Sequence, residues 1–237
     1  MSGQVTSGKA NVTRGVVRWS IREAMGLIMY LPFLFWPAGT WNWPMAWALI
    51  VVTAMWIIGT AIVTIPRHPE LLAERVGPRK GSNAWDTAVV SVIGVMMLAK
   101  MVLAGSDIRF GWTVGLPLWV EIAGLVAALA GYGLVVWATG ANAFFSQIVR
   151  IQTERGHTVA TGGPYQLVRH PSYVGMILAE LGTSAMLGSW LSLIPGGVSA
   201  ALIILRTGME DRLLLAELGG YKEFAGRTRY RLVPGVW

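Results

Sequence analysis

The chain has 237 residues, 54% of them hydrophobic and only 13% charged, with a formal net charge of +7. Soluble globular proteins carry about 25% charged residues, so this composition, with a mean hydropathy of +0.55, excludes an ordinary soluble domain and equally a disordered chain. The absence of cysteine removes disulfide frameworks, thiolate-held metals and thiol nucleophiles, and His68, His157 and His170 lack metal-ligand spacing, so no metal is expected.

An all-α, multi-pass membrane protein is what these numbers leave. Residues 1–11 are polar, carry no signal-peptide pattern and are expected to be without structure. Crossing a bilayer as helix takes about 20 apolar residues, and such runs lie at roughly 21–36, 42–65, 85–105, 117–138, 172–188 and 190–208. Six spans are expected. A five-span version, with a last hairpin that does not cross fully, stays open because Pro195 interrupts the final run.

Charge placement supports the count. Of the 19 basic residues, all but Lys100 and Arg109 lie at or before the start of the first run, in the second–third or fourth–fifth loop, or from the end of the last run onward. Positive flanks resist translocation, which puts these loops and both termini in the cytoplasm; a prokaryotic inner membrane is the expected location. The net charge is thus topological: it faces membrane lipid, and no nucleic-acid partner is expected. Trp36, Trp41, Trp43, Trp85, Trp112, Trp119 and Trp190 lie near run ends, as an interfacial belt would.

Residues 1–138 read as a scaffold of four spans, and the polar residues able to carry chemistry concentrate in 139–237, around the last hydrophobic hairpin. There, 145–152 and 157–161 alternate weakly about a Thr153–Gly156 turn, which predicts a short β-hairpin or an extended loop. Gly162, Gly163 and Pro164 then let the backbone turn tightly. Pro171 in Arg169–His170–Pro171 suits the first turn of a helix. Arg67–His68–Pro69 repeats the triplet, and either copy alone is as readily a charged helix start. Arg206 and Glu210 are four apart and share a helical face with Leu213, Glu217 and Tyr221; their ordinary reading is a solvated ion pair.

Taken together these segments say more. The run His157–Thr–Val–Ala–Thr–Gly–Gly–Pro–Tyr165 is followed by Arg169–His–Pro–Ser–Tyr–Val–Gly175, then by Arg206, Glu210, Asp211, Tyr221 and Tyr230–Arg–Leu–Val–Pro234. In that order they resemble the isoprenylcysteine carboxyl methyltransferase family over about residues 140–237. The resemblance implies an integral membrane enzyme that uses S-adenosylmethionine, releases S-adenosylhomocysteine and has no Rossmann domain. Accordingly no GxGxxG opens a βαβ unit, and Gly131–Tyr–Gly133 lies inside an apolar run.

In the family, this loop and the C-terminal helices close a cytoplasmic cofactor pocket, and a tunnel admits a lipophilic acceptor from the bilayer. Residues 139–237 would then be the cofactor-binding catalytic region, with the last hairpin and a C-terminal helix. Carried over by position, His157, Gly163, Tyr165, His170 and Tyr173 would contact the cofactor, with Gln152 a weaker candidate. Glu210 would meet its cationic or hydroxyl groups, and Arg206 would face the acceptor. The cofactor's sulfonium, amino-acid head and adenine call for a carboxylate, donors and aromatic walls. The chain departs from the family at Ser189–Trp190, where Asn–Pro is usual, at Asp211, where a second Glu is usual, and at Phe224, where Tyr is common. These departures imply a cousin, not a true prenyl-protein enzyme, and leave open which acceptor is methylated.

Glu180 stands apart from the pattern. A charge at the centre of a span costs about 2.5–3.5 kcal/mol on insertion scales and is a functional hypothesis by default. Tyr173, Ile177, Glu180 and Ser184 share one helical face, so Glu180 is expected roughly 10 Å deeper than Tyr173 in the same cavity. There it selects a cationic or hydroxyl-bearing acceptor or acts as a base; otherwise it is a protonated residue bonded to a neighbouring span.

Two other functions compete. Membrane sterol or enone reductases that use NADPH share an RHP-x-Tyr loop and a Tyr-rich tail, but are longer and lack Tyr–Val–Gly after RHPS. A transporter or non-catalytic scaffold would carry charges along several spans and an internal repeat. Here only Lys100, Glu121 and Glu180 are intramembrane, and the RHP triplet is the sole echo.

Overall fold

A computed structural model describes residues 2–76 and 83–237. Among these residues there are eight α-helices and no strand. Helices α1 (Ser2–Ala38), α2 (Pro44–Thr64), α4 (Ala84–Phe110), α5 (Leu118–Gly140), α6 (Pro171–Met186) and α7 (Trp190–Glu217) fall on the apolar runs, with short helices α3 (Pro69–Glu74) and α8 (Tyr221–Arg227) beside them. Pro69 and Pro171 both sit in the first turn of their helices, where a missing N–H costs nothing.

Two expectations are corrected. Helix α1 already runs from Ser2, so the polar leader is helical. Once the apolar half of a helix is formed, each further residue adds a hydrogen bond without a new nucleation cost, and the helix holds no proline before Pro32. The segment 145–161 is a loop with one 3₁₀ turn at Thr153–Arg155, and no hairpin forms. Its turn is where the sequence puts it, but its backbone bonds go elsewhere: Val149 N–H donates to Asp86 at 2.9 Å, and the Gln152 amide donates to the Phe144 carbonyl at 2.7 Å.

Helices α2, α4, α5 and α7 are each long and apolar enough to cross a membrane, which makes this a multi-pass membrane protein. Their outward faces are apolar: Val51, Met55, Ile58 and Ile62 of α2 are exposed, while Leu49 and Val52 are buried on the side that packs on α1 and α5. Such a stripe would be an aggregation surface in water; against lipid it is the ordinary outer face. Trp36, Trp41, Trp112, Trp119 and Trp190 are exposed at helix ends, as a belt requires. Trp43 is not part of that belt. It is buried between Leu34 and Phe35, edge-on to the Phe35 ring, because the reversal from α1 into α2 folds it inward.

Helices α5 and α6 run antiparallel with their backbones touching. A Cβ on Gly131 would stand 2.5 Å from the Gly175 carbonyl oxygen, and one on Gly124 would stand 2.7 Å from that of Gly182. Small residues at such crossings give membrane helices the dispersion contact that water would otherwise enforce. Each end of the bundle is tied separately. At the basic end, Arg22 donates to the Arg75 carbonyl, and Arg155 pairs with Glu70 at 3.0 Å. At the other end, Asp107 accepts from Ser189 and Thr113, and Leu116 N–H bonds the Gly188 carbonyl. Arg79 and Lys80 of the basic loop lie outside the described residues.

Candidate functional site

A cavity of about 380 Å³ opens at the basic end and reaches into the helix bundle. Its outer part is walled by the 142–160 loop, Tyr165, His170, Glu210 and Tyr221; its inner part by Tyr30, Trp56, Met97, Tyr132 and Glu180. Every long helix therefore contributes to one space, polar at the mouth and largely apolar inside.

Tyr173, Arg206 and Glu210 form the centre. The N-terminal turn of α6 aims the Tyr173 hydroxyl at the Glu210 carboxylate, to which it donates a hydrogen bond. The Arg206 guanidinium lies 5.4 Å over the Tyr173 ring, a distance at which a cation is held by the ring face. Its i,i+4 neighbour is not its partner. Arg206 Nε donates to Asp86 of α4 at 2.7 Å, and Nη2 donates to the Gln147 carbonyl at 2.8 Å. Asp86 is fully buried, and sequence reading missed it. The available signal was an acid in the first turn of a largely apolar helix.

The loop residues divide into walls and struts. His157 lines the cavity, stacked on Phe144 with ring centroids 4.7 Å apart, and its Nδ1 accepts from Gln152 N–H at 3.3 Å. Burial, with Arg150 and Arg155 nearby, holds His157 below the usual histidine range, so it is neutral near pH 7. Gln152 is wholly buried and does not line the cavity; its amide ties Phe144 and Arg155 together. Gly163 does not line it either: it turns the chain at φ +58° against Trp137, a conformation that a side chain disfavours. Tyr165 lines the cavity and is bonded by Asn142 at 3.2 Å. Burial pushes the Tyr165 and Tyr221 hydroxyls up from their ordinary value, so both stay protonated donors.

His170 lines the cavity and is also part of a buried knot. Its Nε2 is 3.1 Å from Asp211 Oδ1, which also accepts from Tyr221 at 2.9 Å, while Arg169 and Arg231 donate to Oδ2 at 3.0 and 2.7 Å. The backbone N–H groups of Arg169 and His170 bond the carbonyls of Tyr230 and Arg231. Asp211 thus fastens the tail to the start of α6. Deeper in, Glu180 lines the cavity as its spacing from Tyr173 predicts, and it pairs with Lys100 of α4 at 2.7 Å. Neither expected alternative had included that ion pair.

The model of the isoprenylcysteine carboxyl methyltransferase family matches residues 122–216. A probable protein-S-isoprenylcysteine O-methyltransferase of Oryza sativa subsp. indica is 35% identical over 146 residues, covering 58% of this chain and 72% of that one. The Homo sapiens protein-S-isoprenylcysteine O-methyltransferase is 34% identical over 91 residues, covering 37% and 30%. The cobalt-zinc-cadmium resistance protein CzcN of Cupriavidus metallidurans is 31% identical over 169 residues, 69% of each chain. Against several of the curated relatives it matches, the chain spans only 20–39% of their length. The reductase reading has no counterpart among these relatives.

Proposed function

The chain belongs to the isoprenylcysteine carboxyl methyltransferase family, and on that premise we propose that it is a membrane methyltransferase acting on a lipophilic acceptor, with a carboxylate the favoured nucleophile. The observation that carries this reading is the single cavity, whose mouth offers Glu210, His157 and Tyr221 and whose interior is apolar apart from a few polar groups. A polar methyl donor and a lipophilic acceptor can meet in it end to end. The donor side fits S-adenosylmethionine: a carboxylate, Glu210, for its cationic groups, and aromatic walls at Tyr165 and His157 for its ring.

When bound, S-adenosylmethionine supplies a sulfonium methyl that passes to the acceptor's nucleophile, with S-adenosylhomocysteine as the leaving thioether. Around it, Glu210 holds the cationic side of the donor pocket, and Tyr173 fixes Glu210 by its hydrogen bond. Arg206 presents its guanidinium to an anionic acceptor, since Asp86 and the Gln147 carbonyl occupy only two of its three nitrogens. A carboxylate is already ionised near pH 7, so these residues need to position the acceptor and exclude water, not to move a proton. Residues 1–138 act as the scaffold and 139–237 as the catalytic region, with Tyr30 of the scaffold in the cavity wall and Asp86 holding Arg206 from behind it. Six spans place the mouth and both termini on the cytoplasmic side of an inner membrane, the basic end against anionic lipid.

Isothermal titration of purified protein in detergent micelles tests the cofactor. S-adenosylhomocysteine should bind and NADPH should not; the reverse result overturns the reading. Transfer of labelled methyl to a prenylated cysteine, compared with lipophilic amines, thiols and alcohols, then tests the acceptor class. Label on the amines alone would overturn the carboxylate.

A further inference from the structure

Lys100 and Glu180 are the charged pair furthest from the mouth of the cavity, and they are not arranged like a merely structural pair. The Lys100 side chain is 3% accessible, and its ammonium donates to Glu180 Oε2 at 2.7 Å and to Thr183 Oγ1 at 2.8 Å. The Glu180 side chain keeps 16% accessibility and lines the cavity. Its other oxygen, Oε1, takes no hydrogen bond from the described residues. On the same helix, Leu178 and Leu181 take the outward, lipid-side positions, while Tyr173, Met176 and Glu180 line the cavity. A carboxylate oxygen with open lone pairs is thus held inside a membrane protein, where an unmet polar atom is costly.

The chemistry of that oxygen defines what it accepts. It can only accept a hydrogen bond. Lys100 already neutralises its charge, so a second cation has no net charge to meet, whereas a neutral O–H donor gains a charge-assisted bond. Glu180 lies seven residues beyond Tyr173 on α6, roughly 10 Å along the axis at 1.5 Å per residue. We propose that the Lys100–Glu180 pair is a recognition point for a hydroxyl on the lipophilic ligand, roughly 10 Å from the group that is methylated. The inference rests on reading the cavity as the acceptor site, and it separates this protein's ligand from a plain hydrocarbon-tailed acid.

Protein loaded with S-adenosylhomocysteine in detergent micelles is titrated with a medium-chain ω-hydroxy fatty acid and with the same acid lacking the hydroxyl. The wild type should bind the hydroxylated probe at least about tenfold more tightly, the scale of a hydrogen bond to a charged group. Replacing the pair with apolar residues of similar length, Lys100→Met with Glu180→Met, avoids stranding one charge and should abolish the preference. Glu180→Gln should reduce it at least about threefold, and gives a second reading if the double variant does not fold. Retained preference in either folded variant, or a wild type that binds both acids equally or neither, overturns the proposal. Loss of S-adenosylhomocysteine binding by the wild type overturns the methyltransferase reading instead, so the two failures are distinguishable.

Discussion

Asp86 Oδ1 accepts from Arg206 Nε at 2.7 Å although the residues are 120 positions apart. The same carboxylate takes Val149 N–H through Oδ2. One buried acid near the start of α4 therefore sets both the guanidinium over Tyr173 and the loop that walls the cavity mouth. Removing one member of a buried pair typically costs about 3–5 kcal/mol, because the other charge is left without compensation. Asp86 is a positioning residue: it acts on the site through Arg206.

Asp86→Asn keeps the shape and one acceptor oxygen but removes the charge that aligns Arg206. Displacement of a positioning group by about 1 Å can cost on the order of 100-fold in rate. Methyl transfer should fall in kcat/KM by about 10- to 100-fold, while S-adenosylhomocysteine affinity changes far less, and Asp86→Glu should recover part of the rate. Parallel kinetics and titration decide it. Equal losses in rate and affinity for both variants would mean that Asp86 only maintains the fold.

The α5–α6 contact predicts opposite effects for two glycines separated by a single residue. Gly131→Ala puts a methyl 2.5 Å from the Gly175 carbonyl oxygen and 2.6 Å from Ala179 N, backbone atoms that cannot turn aside. Overpacking of this kind costs about 1–3 kcal/mol. Gly133→Ala meets nothing within 4 Å and gains about 0.5–1 kcal/mol of helix preference. Thermal unfolding in one detergent should lower the midpoint for the first variant and hold or raise it for the second. The same shift in both would argue against close helix approach.

What could be read from sequence follows the range of the forces involved. Pro69 and Pro171 mark helix starts by a local rule, and both helices start there. The 145–161 loop was ambiguous because its backbone partners include Asp86, whose position relative to Val149 depends on the fold. The spacing of Arg206 and Glu210 correctly gave a shared face. It could not show that a buried acid from another helix outcompetes the i,i+4 neighbour, since an exposed i,i+4 pair contributes only about 0.3–0.5 kcal/mol. Lys100 and Glu180 were each visible as charges within apolar runs, but their meeting is a matter of packing between α4 and α6.

His157 gives a pH dependence with a defined sign. Its folded-state value is depressed, mainly by burial, below the ordinary value of about 6.5. Between those two values the unfolded chain binds more protons than the folded one, so stability rises with pH. The stabilisation is complete above about pH 6.5 and is lost as pH falls toward the folded-state value. Protonation also destroys the acceptor at Nδ1 that takes Gln152 N–H. Melting temperatures measured from about pH 7.5 to 5 should fall more steeply for the wild type than for His157→Gln, which cannot titrate. Parallel curves would remove His157 from the acid response.

The last prediction concerns Asp211, whose carboxylate collects His170, Tyr221, Arg169 and Arg231 in one buried place. Two guanidinium groups converge there, and the single Asp211 carboxylate between them offsets their repulsion. Asp211→Asn leaves them facing each other, removes the charge that Arg231 reaches from the tail and keeps only one acceptor oxygen for the four donors. The tail's other ties, from Arg169 and His170 N–H to the Tyr230 and Arg231 carbonyls, depend on Arg169 staying in register. The tail should therefore loosen before the bundle does. Trypsin, which cuts after basic residues, should cleave at Arg229 and Arg231 faster in the variant, under conditions where α2 to α7 stay intact. His170 would lose its orienting partner in the same step, so S-adenosylhomocysteine affinity should fall together with the gain in cleavage. Cleavage at the wild-type rate with weakened affinity would mean that Asp211 acts on the site through His170 and does not hold the tail.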